Sequence, residues 1–223
     1  MKLLREYIRT ILSESVDPRI ERRIEALKSM PRVGIQIREA EDDIEIRYAQ
    51  ISKDGASIKS RSVKSAPWGA ITITKDHDSG PCKSGPGPED DPWVIFIVEA
   101  APGWGPLLYD IALEYASSNG VGLMSDRHVV SDAAISVWDI YDTRGDVEKH
   151  QLDISHDEDL ADETEMSIPQ LTPDDVTDDC VQSKAIKVGG ADGWMKSPLS
   201  RLYRKDGTPV MDALRSAGLL WEE

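Results

Sequence analysis

One phenylalanine, two cysteines and four histidines are all that 223 residues hold of those three types, and the last two scarcities each remove a class of chemistry. The cysteines, Cys82 and Cys180, lie far apart and outside any C-x-x-C pair, so they build no disulfide framework. The simplest reading is free thiols in a reducing compartment, with one disulfide joining two loops as the alternative. The histidines, His77, His128, His150 and His156, lack metal-ligand spacing, so no metal site is expected. Positive charge is short as well: 26 Lys and Arg face 41 Asp and Glu, for a formal net charge of −15. Such a chain repels nucleic acid and anionic membranes unless its few basic residues cluster, and it favours basic partners. No stretch approaches the ~20 apolar residues that span a bilayer. The opening MKLLREYIRTILSE is broken by Arg5, Glu6, Arg9 and Thr10, unlike a secretory signal. No P-loop, nucleophile elbow, dinucleotide fingerprint, calcium loop or internal repeat occurs.

What is there reads as α/β. Residues 2–14 carry Leu3, Leu4, Tyr7, Ile8, Ile11 and Leu12 on one face at helical period, an amphipathic leader. A second helix opens at Asp17-Pro18, as N-cap and first residue, and its stripe is Ile20, Ile24 and Leu27. Alternation at 33–39 and 43–51 predicts a hairpin, and 68–74 a third strand. Residues 76–92 are too rich in Gly, Pro, Asp and Ser for regular structure. The run WVIFIV at 93–98 predicts a strand buried on both faces. A helix over about 106–118, a short strand at 121–124 and a helix from Ser131 or Asp132 to about Tyr141 follow. Residues 151–180 hold eleven Asp and Glu and no Lys or Arg, an extended or disordered acidic segment. Thr208-Pro209 opens a last helix, ended by Gly218. The organisation expected is a leader at 1–14, a domain at 17–150, an acidic segment at 151–195, and a C-terminal helical arm at 196–223 packing on the domain.

Chemistry concentrates in 93–141. A helix that follows a glycine-bearing turn offers backbone N–H groups at the positive end of its dipole, a natural anion site. Gly103 and Gly105 let the backbone approach a pyrophosphate, and Pro106 sacrifices no needed donor. The run EAAPGWGPLLYDIALEYA from Glu99 resembles the acyl-CoA-binding motif [RQ]-x-x-G-x-[GA] of the GNAT superfamily of N-acyltransferases, with Gly103 and Gly105 at its small positions. The family's N-x-x-A-x-x-L-Y on the next helix corresponds to Ser131, Ala134, Val137 and Trp138.

The resemblance covers roughly residues 17–141. It implies a mixed, mostly antiparallel sheet flanked by helices, and acyl transfer, most simply of acetyl, from acetyl-CoA to an amine of a basic protein or polyamine. It implies a cofactor site at Ala101, Gly103, Trp104, Gly105 and Leu107, and a homodimer; Arg127, in the Ser125-Asp126-Arg127-His128 run after the short strand, either meets a phosphate at the same sheet end or forms a structural ion pair or cap with Asp126. Glu99 becomes the general base, acting directly or through a water, and Tyr141 the fallback acid. Two positions depart from the family: Ala100 stands for its Arg or Gln, and Trp138 for the tyrosine that often protonates the departing thiolate.

The leader resembles that of internal head proteins of tailed phages, which end in [LI]-x-E; here Leu12-Ser13-Glu14 closes the helix. GPLLYDIALEYA, SVWDIYDTRGDV, LTPDDVTDDC and SPLSRLYRK also resemble segments of marine tailed-phage proteins. These likenesses imply a phage origin, with the host cytoplasm or the virion interior as location. They keep open a non-catalytic virion or host-interaction protein on the same scaffold. The acidic segment alone keeps open a nucleic-acid decoy.

Overall fold

The computed structural model describes residues 16–40, 43–52, 55–58, 67–75, 92–154, 179–180, 183, 185–186 and 194–223. The leader, the loop over 76–91 with Cys82, and 155–178 of the acidic segment lie outside the described residues; of Cys180 only the backbone is described. Helix α1 (Pro18–Lys28) begins as expected: the Asp17 carboxylate accepts from the Arg19 N–H at 2.7 Å, and Pro18 takes the first position. Ile20, Ile24 and Leu27 are buried, each contributing on the order of 2 kcal/mol of apolar burial. Arg19 and Arg22 stay exposed and Arg23 is half-buried.

Strands β1 (Val33–Ala40) and β2 (Asp43–Ser52) form the hairpin, in register from Val33 opposite Gln50 to Ala40 opposite Asp43. The short β3 (Gly55–Ile58), which no alternation announced, pairs with β2. Strand β4 (Gly69–Thr74) follows on β2, placing Ile71 opposite Ile46 and Ile73 opposite Ile44, all buried. Strand β5 (Trp93–Ala100) runs antiparallel to β4 along its length. On its other side β5 is parallel to β6 (Leu123–Met124) through two residue pairs only, Trp93 with Leu123 and Val94 with Met124. This corrects the expectation of a strand buried on both faces. Past Val94 the parallel partners diverge, and Phe96 and Ile97 are left 63% and 55% exposed.

Helix α2 (Gly105–Ser118) is buried on every side from Leu107 to Ser117 rather than along one stripe. It lies among β2, β4, β5, β6 and β10 (Arg201–Arg204) on the sheet side and has α1 and α4 (Pro209–Ser216) as further neighbours. Helix α3 (Asp132–Thr143) opens at Ser131, whose hydroxyl accepts from the Ala134 N–H. The C-terminal segment does more than pack on the domain. Strand β10 (Arg201–Arg204) inserts between β6 and β7 (Glu148–Gln151), α4 (Pro209–Ser216) packs on α1 and α2, and β11 (Leu220–Glu222) runs parallel to β1. The main sheet thus has nine strands in the order β11-β1-β2-β4-β5-β6-β10-β7, with β3 beside β2; β8 (Asp153–Ile154) and β9 (Asp179–Cys180) pair separately. The chain is α/β with a mixed, mostly antiparallel sheet and, among the described residues, four α-helices, none long and apolar enough to cross a membrane.

The C-terminal segment is held by a buried carboxylate. Glu114, in the middle of α2, accepts from Lys205 Nζ at 2.7 Å, and both partners are fully buried. The same carboxylate accepts from the Val210 N–H at 2.9 Å and the Met211 N–H at 2.8 Å. Thr208, at the N-cap of α4, makes no side-chain cap bond, so Glu114 supplies the cap from another helix. Removing one partner strands a buried charge. Lys205→Met is therefore expected to lower unfolding free energy by about 3–5 kcal/mol in urea titrations. The double variant Lys205→Met with Glu114→Gln is expected to be less destabilised than Lys205→Met alone; equal or greater loss would refute the stranded charge as the cause.

Candidate functional site

The turn between β5 and α2 is tied down from behind. The Ala101 N–H bonds to the Trp68 carbonyl at 2.9 Å, and the Trp104 N–H to the Ala101 carbonyl at 2.9 Å. The Trp104 carbonyl accepts from the Tyr48 hydroxyl at 2.7 Å, and the two rings meet edge to face at 5.7 Å. Ala101, Trp104 and Leu107 are buried. Their side chains are core residues that hold the turn from the inner side.

The glycines differ from each other. Gly103 has φ +78°, and a Cβ there would come within 2.6 Å of Arg23 Nη2. A Cβ at Gly105 would touch only the Ala100 Cβ, at 3.7 Å, so nothing nearby demands a glycine and the approach to the helix end stays open. Helix α2 starts with no side-chain cap and no acidic residue in its first turn, leaving its positive end unneutralised by its own residues. Arg23 approaches the turn from α1, its guanidinium 5.0 Å over the Trp104 ring.

Two cavities border the first turns of α2, one reaching the glycine turn at Gly103 and the other meeting the helix at Tyr109. One, of about 450 Å³, lies between α1, the start of α2 and the end of α3, and is rimmed by Arg19, Arg22, Arg23 and Arg144. Its lining includes Asp110 and Tyr141. The Tyr141 hydroxyl donates to Asp110 Oδ1 at 2.7 Å, and Arg144 Nη1 donates to the same oxygen at 2.6 Å. Arg144 also forks onto Asp146, at 2.9 and 2.6 Å. Burial, with the charge of Asp110 adding to it, holds the Tyr141 phenol well above its usual range. The Tyr141 hydroxyl is thus engaged with the buried Asp110 carboxylate.

The second cavity, of about 270 Å³, opens where β5 and β6 diverge. Ile95–Val98 of β5 form one wall, and Tyr109, Val129, Ser131, Ala134 and Trp138 the other. The residues expected to act together on α3 are split: Ser131, Ala134 and Trp138 face this cavity, while Val137 lines the first. Trp138 is buried, stacked on Tyr203 at 5.1 Å and edge-on to Tyr109 and Tyr141. Glu99 is exposed near the end of β5, opposite Ala70, and belongs to the lining of neither cavity.

Arg127 is placed elsewhere. It is buried, donating to the Ser125 carbonyl at 2.9 Å, the Ser125 hydroxyl at 2.7 Å and the Leu199 carbonyl at 3.1 Å. Desolvation pulls its guanidinium down to about 10. It staples the exit of β6 to the C-terminal segment. Asp126 caps the next turn by accepting from the His128 and Val129 N–H groups. Sequence reasoning missed Arg19, Arg22, Arg23, Asp110 and Arg144. The available signals were three arginines at i, i+3 and i+4 of one helix and a lone carboxylate inside the apolar run of α2. Among the described residues no group of three His, Cys, Asp or Glu could hold a metal ion.

Asp146 gives this network a pH signature. Burial pushes its carboxyl up, but the Arg144 hydrogen bonds and charge, with Lys205 behind them, outweigh that and leave it below its ordinary value. A depressed carboxylate stabilises the fold above its unfolded value, and that stabilisation is lost as pH falls through the folded one. Asp146→Asn is expected to lower the urea midpoint at pH 7 and to narrow the wild-type drop between pH 7 and roughly pH 3. An unchanged acid limb would show the ion pair to be idle. Comparison with protein-family models, with curated proteins and with solved structures found no match to the chain.

Proposed function

We propose that this chain is an acyl-CoA-dependent N-acyltransferase of phage origin on a GNAT-like fold, moving an acyl group, most simply acetyl, to an amine of a cationic acceptor. The observation that carries the reading is the divergence of parallel strands β5 and β6 beside the uncapped start of α2. Crevices at the carboxyl ends of parallel strands, where the following helix presents its N-terminus, are where α/β sheets take phosphorylated ligands. The residues present suit acyl-CoA. The open helix end at Gly105, with Arg23 above the turn, would hold the pyrophosphate. The apolar wall at Phe96, Ile97 and Val129 would hold the arm and acyl group.

Acyl-CoA, when bound, supplies an activated thioester. The chain's own part is to orient and to accept a proton. Ala101, Trp104 and Leu107 fix the turn from the core, and Arg127 fixes the segment that carries Val129 and Ser131. Glu99, exposed on β5, would take the proton of the acceptor amine, directly or through a water. The net charge of −15 favours a basic protein or a polyamine over nucleic acid or an anionic membrane. A second reading, a non-catalytic virion or host-interaction protein on the same scaffold, draws on Trp138: it fills the core where the family has a tyrosine, while Tyr141 is engaged with Asp110.

Calorimetric titration with acetyl-CoA tests the first reading. Wild type is expected to bind at micromolar concentration. Gly105→Glu, whose Cβ the fold accommodates, is expected to keep the wild-type melting temperature and lose at least tenfold in affinity by placing an anion at the helix start. No binding at millimolar acetyl-CoA sinks the acyltransferase and leaves the scaffold protein.

A further inference from the structure

Helices α1 and α3 open on caps of their own, Asp17 and Ser131, whereas the start of α2 has no side-chain cap and is pinned from another strand. Tyr48 of β2, 56 residues earlier, donates its hydroxyl to the Trp104 carbonyl at 2.7 Å. Tyr48 is fully buried, beside Ile35 of β1 in the register and under α2, so packing holds its ring in place. Desolvation keeps the phenol well above its usual range, so it stays a donor across neutral pH. Trp104 is gripped twice more, edge-on by the Tyr48 ring and over its face by the Arg23 guanidinium.

The Trp104–Gly105 peptide is trans and planar, so its C=O and N–H point in opposite directions. Fixing the carbonyl against Tyr48 therefore fixes the Gly105 N–H on the side away from Tyr48. That donor has little company, because Pro106, the next residue of the helix, has no N–H. The turn's own residues supply little stiffness. Gly103 and Gly105 lack a Cβ, and one built at Gly105 would touch only the Ala100 Cβ. The hydroxyl of a distant strand supplies what the local sequence does not.

We infer that Tyr48 is a positioning residue, whose hydroxyl holds the Trp104–Gly105 peptide so that the Gly105 N–H is aimed outward before a ligand arrives. A donor already aimed needs no ordering on binding. That the ligand is acyl-CoA rests on the reading above; that the hydroxyl sets the turn does not.

The full chain carrying Tyr48→Phe, which keeps the ring and removes one oxygen, is compared with wild type by backbone-amide NMR relaxation and by calorimetric titration with acetyl-CoA. The Gly105 amide order parameter is expected to fall from about 0.85 to below about 0.6, with the β1 amides unchanged. Affinity for acetyl-CoA is expected to fall about tenfold. Ile46→Val, on the same strand and fully buried, lowers the melting temperature comparably but keeps the hydroxyl. It is expected to bind like wild type with Gly105 ordered, whereas a merely structural role for Tyr48 would make the two variants behave alike. A Gly105 amide as ordered in Tyr48→Phe as in wild type overturns the inference, whatever binds. An equal loss of affinity in Ile46→Val also overturns it. Tyr48→Phe of wild-type affinity overturns it too, and spares the acyltransferase. Wild type that fails to bind acetyl-CoA sinks the acyltransferase alone, and the Gly105 amide then decides the role of Tyr48: loss of order without the hydroxyl supports it.

Discussion

Glu114 is a carboxylate at the centre of the most buried helix, and three donors from two later parts of the chain meet on it. It neutralises Lys205 at the end of β10 and caps the first turn of α4, so the last twenty or so residues are anchored to the helix that precedes them by about ninety. That anchoring decides the shape of the sheet. With Lys205 held under α2, β10 lies between β6 and β7, and with α4 seated on α1 and α2 the chain reaches back to add β11 beside β1. A charge in the middle of an apolar helix is tolerated because three donors surround it; without them the same residue would be the weakest point of the core.

The same helix organises the site. Its start projects past the core at Gly105, its next turn carries Asp110 towards Tyr141 and Arg144, and Tyr109 on the neighbouring face meets Trp138. One rigid element therefore borders both cavities, the apolar one at the strand divergence and the arginine-rimmed one beside α1. The two differ electrostatically: arginines gather at one mouth, in a chain of net charge −15, while the other is mostly apolar.

Much of the architecture was legible beforehand for local reasons. The Asp17-Pro18 start, the hairpin of β1 and β2, β4, and the starts of α2 and α3 are written in caps, turns and two-residue alternation, which depend on neighbours in sequence. The failures share one cause. Strands β3, β7, β10 and β11 are three or four residues long, too short for alternation to register, and β7, β10 and β11 exist because a distant segment supplies their partner. Strand β5 looked buried on both faces because its composition is uniformly apolar, and only the early end of β6 explains why Phe96 and Ile97 emerge.

Local sequence settles where helices begin, that Gly103 precedes and Gly105 opens an uncapped helix, and that the chain is strongly acidic, because backbone conformation, capping and charge are properties of adjacent residues or of simple sums. Tertiary structure alone decided what each charged group does. Arg127 became a buried staple, Tyr141 a ligand of Asp110, and Arg23 the cation above the glycine turn. Those assignments turn on which residues, tens of positions apart, share a few ångströms of low-dielectric space, and no local pattern in the chain encodes that proximity.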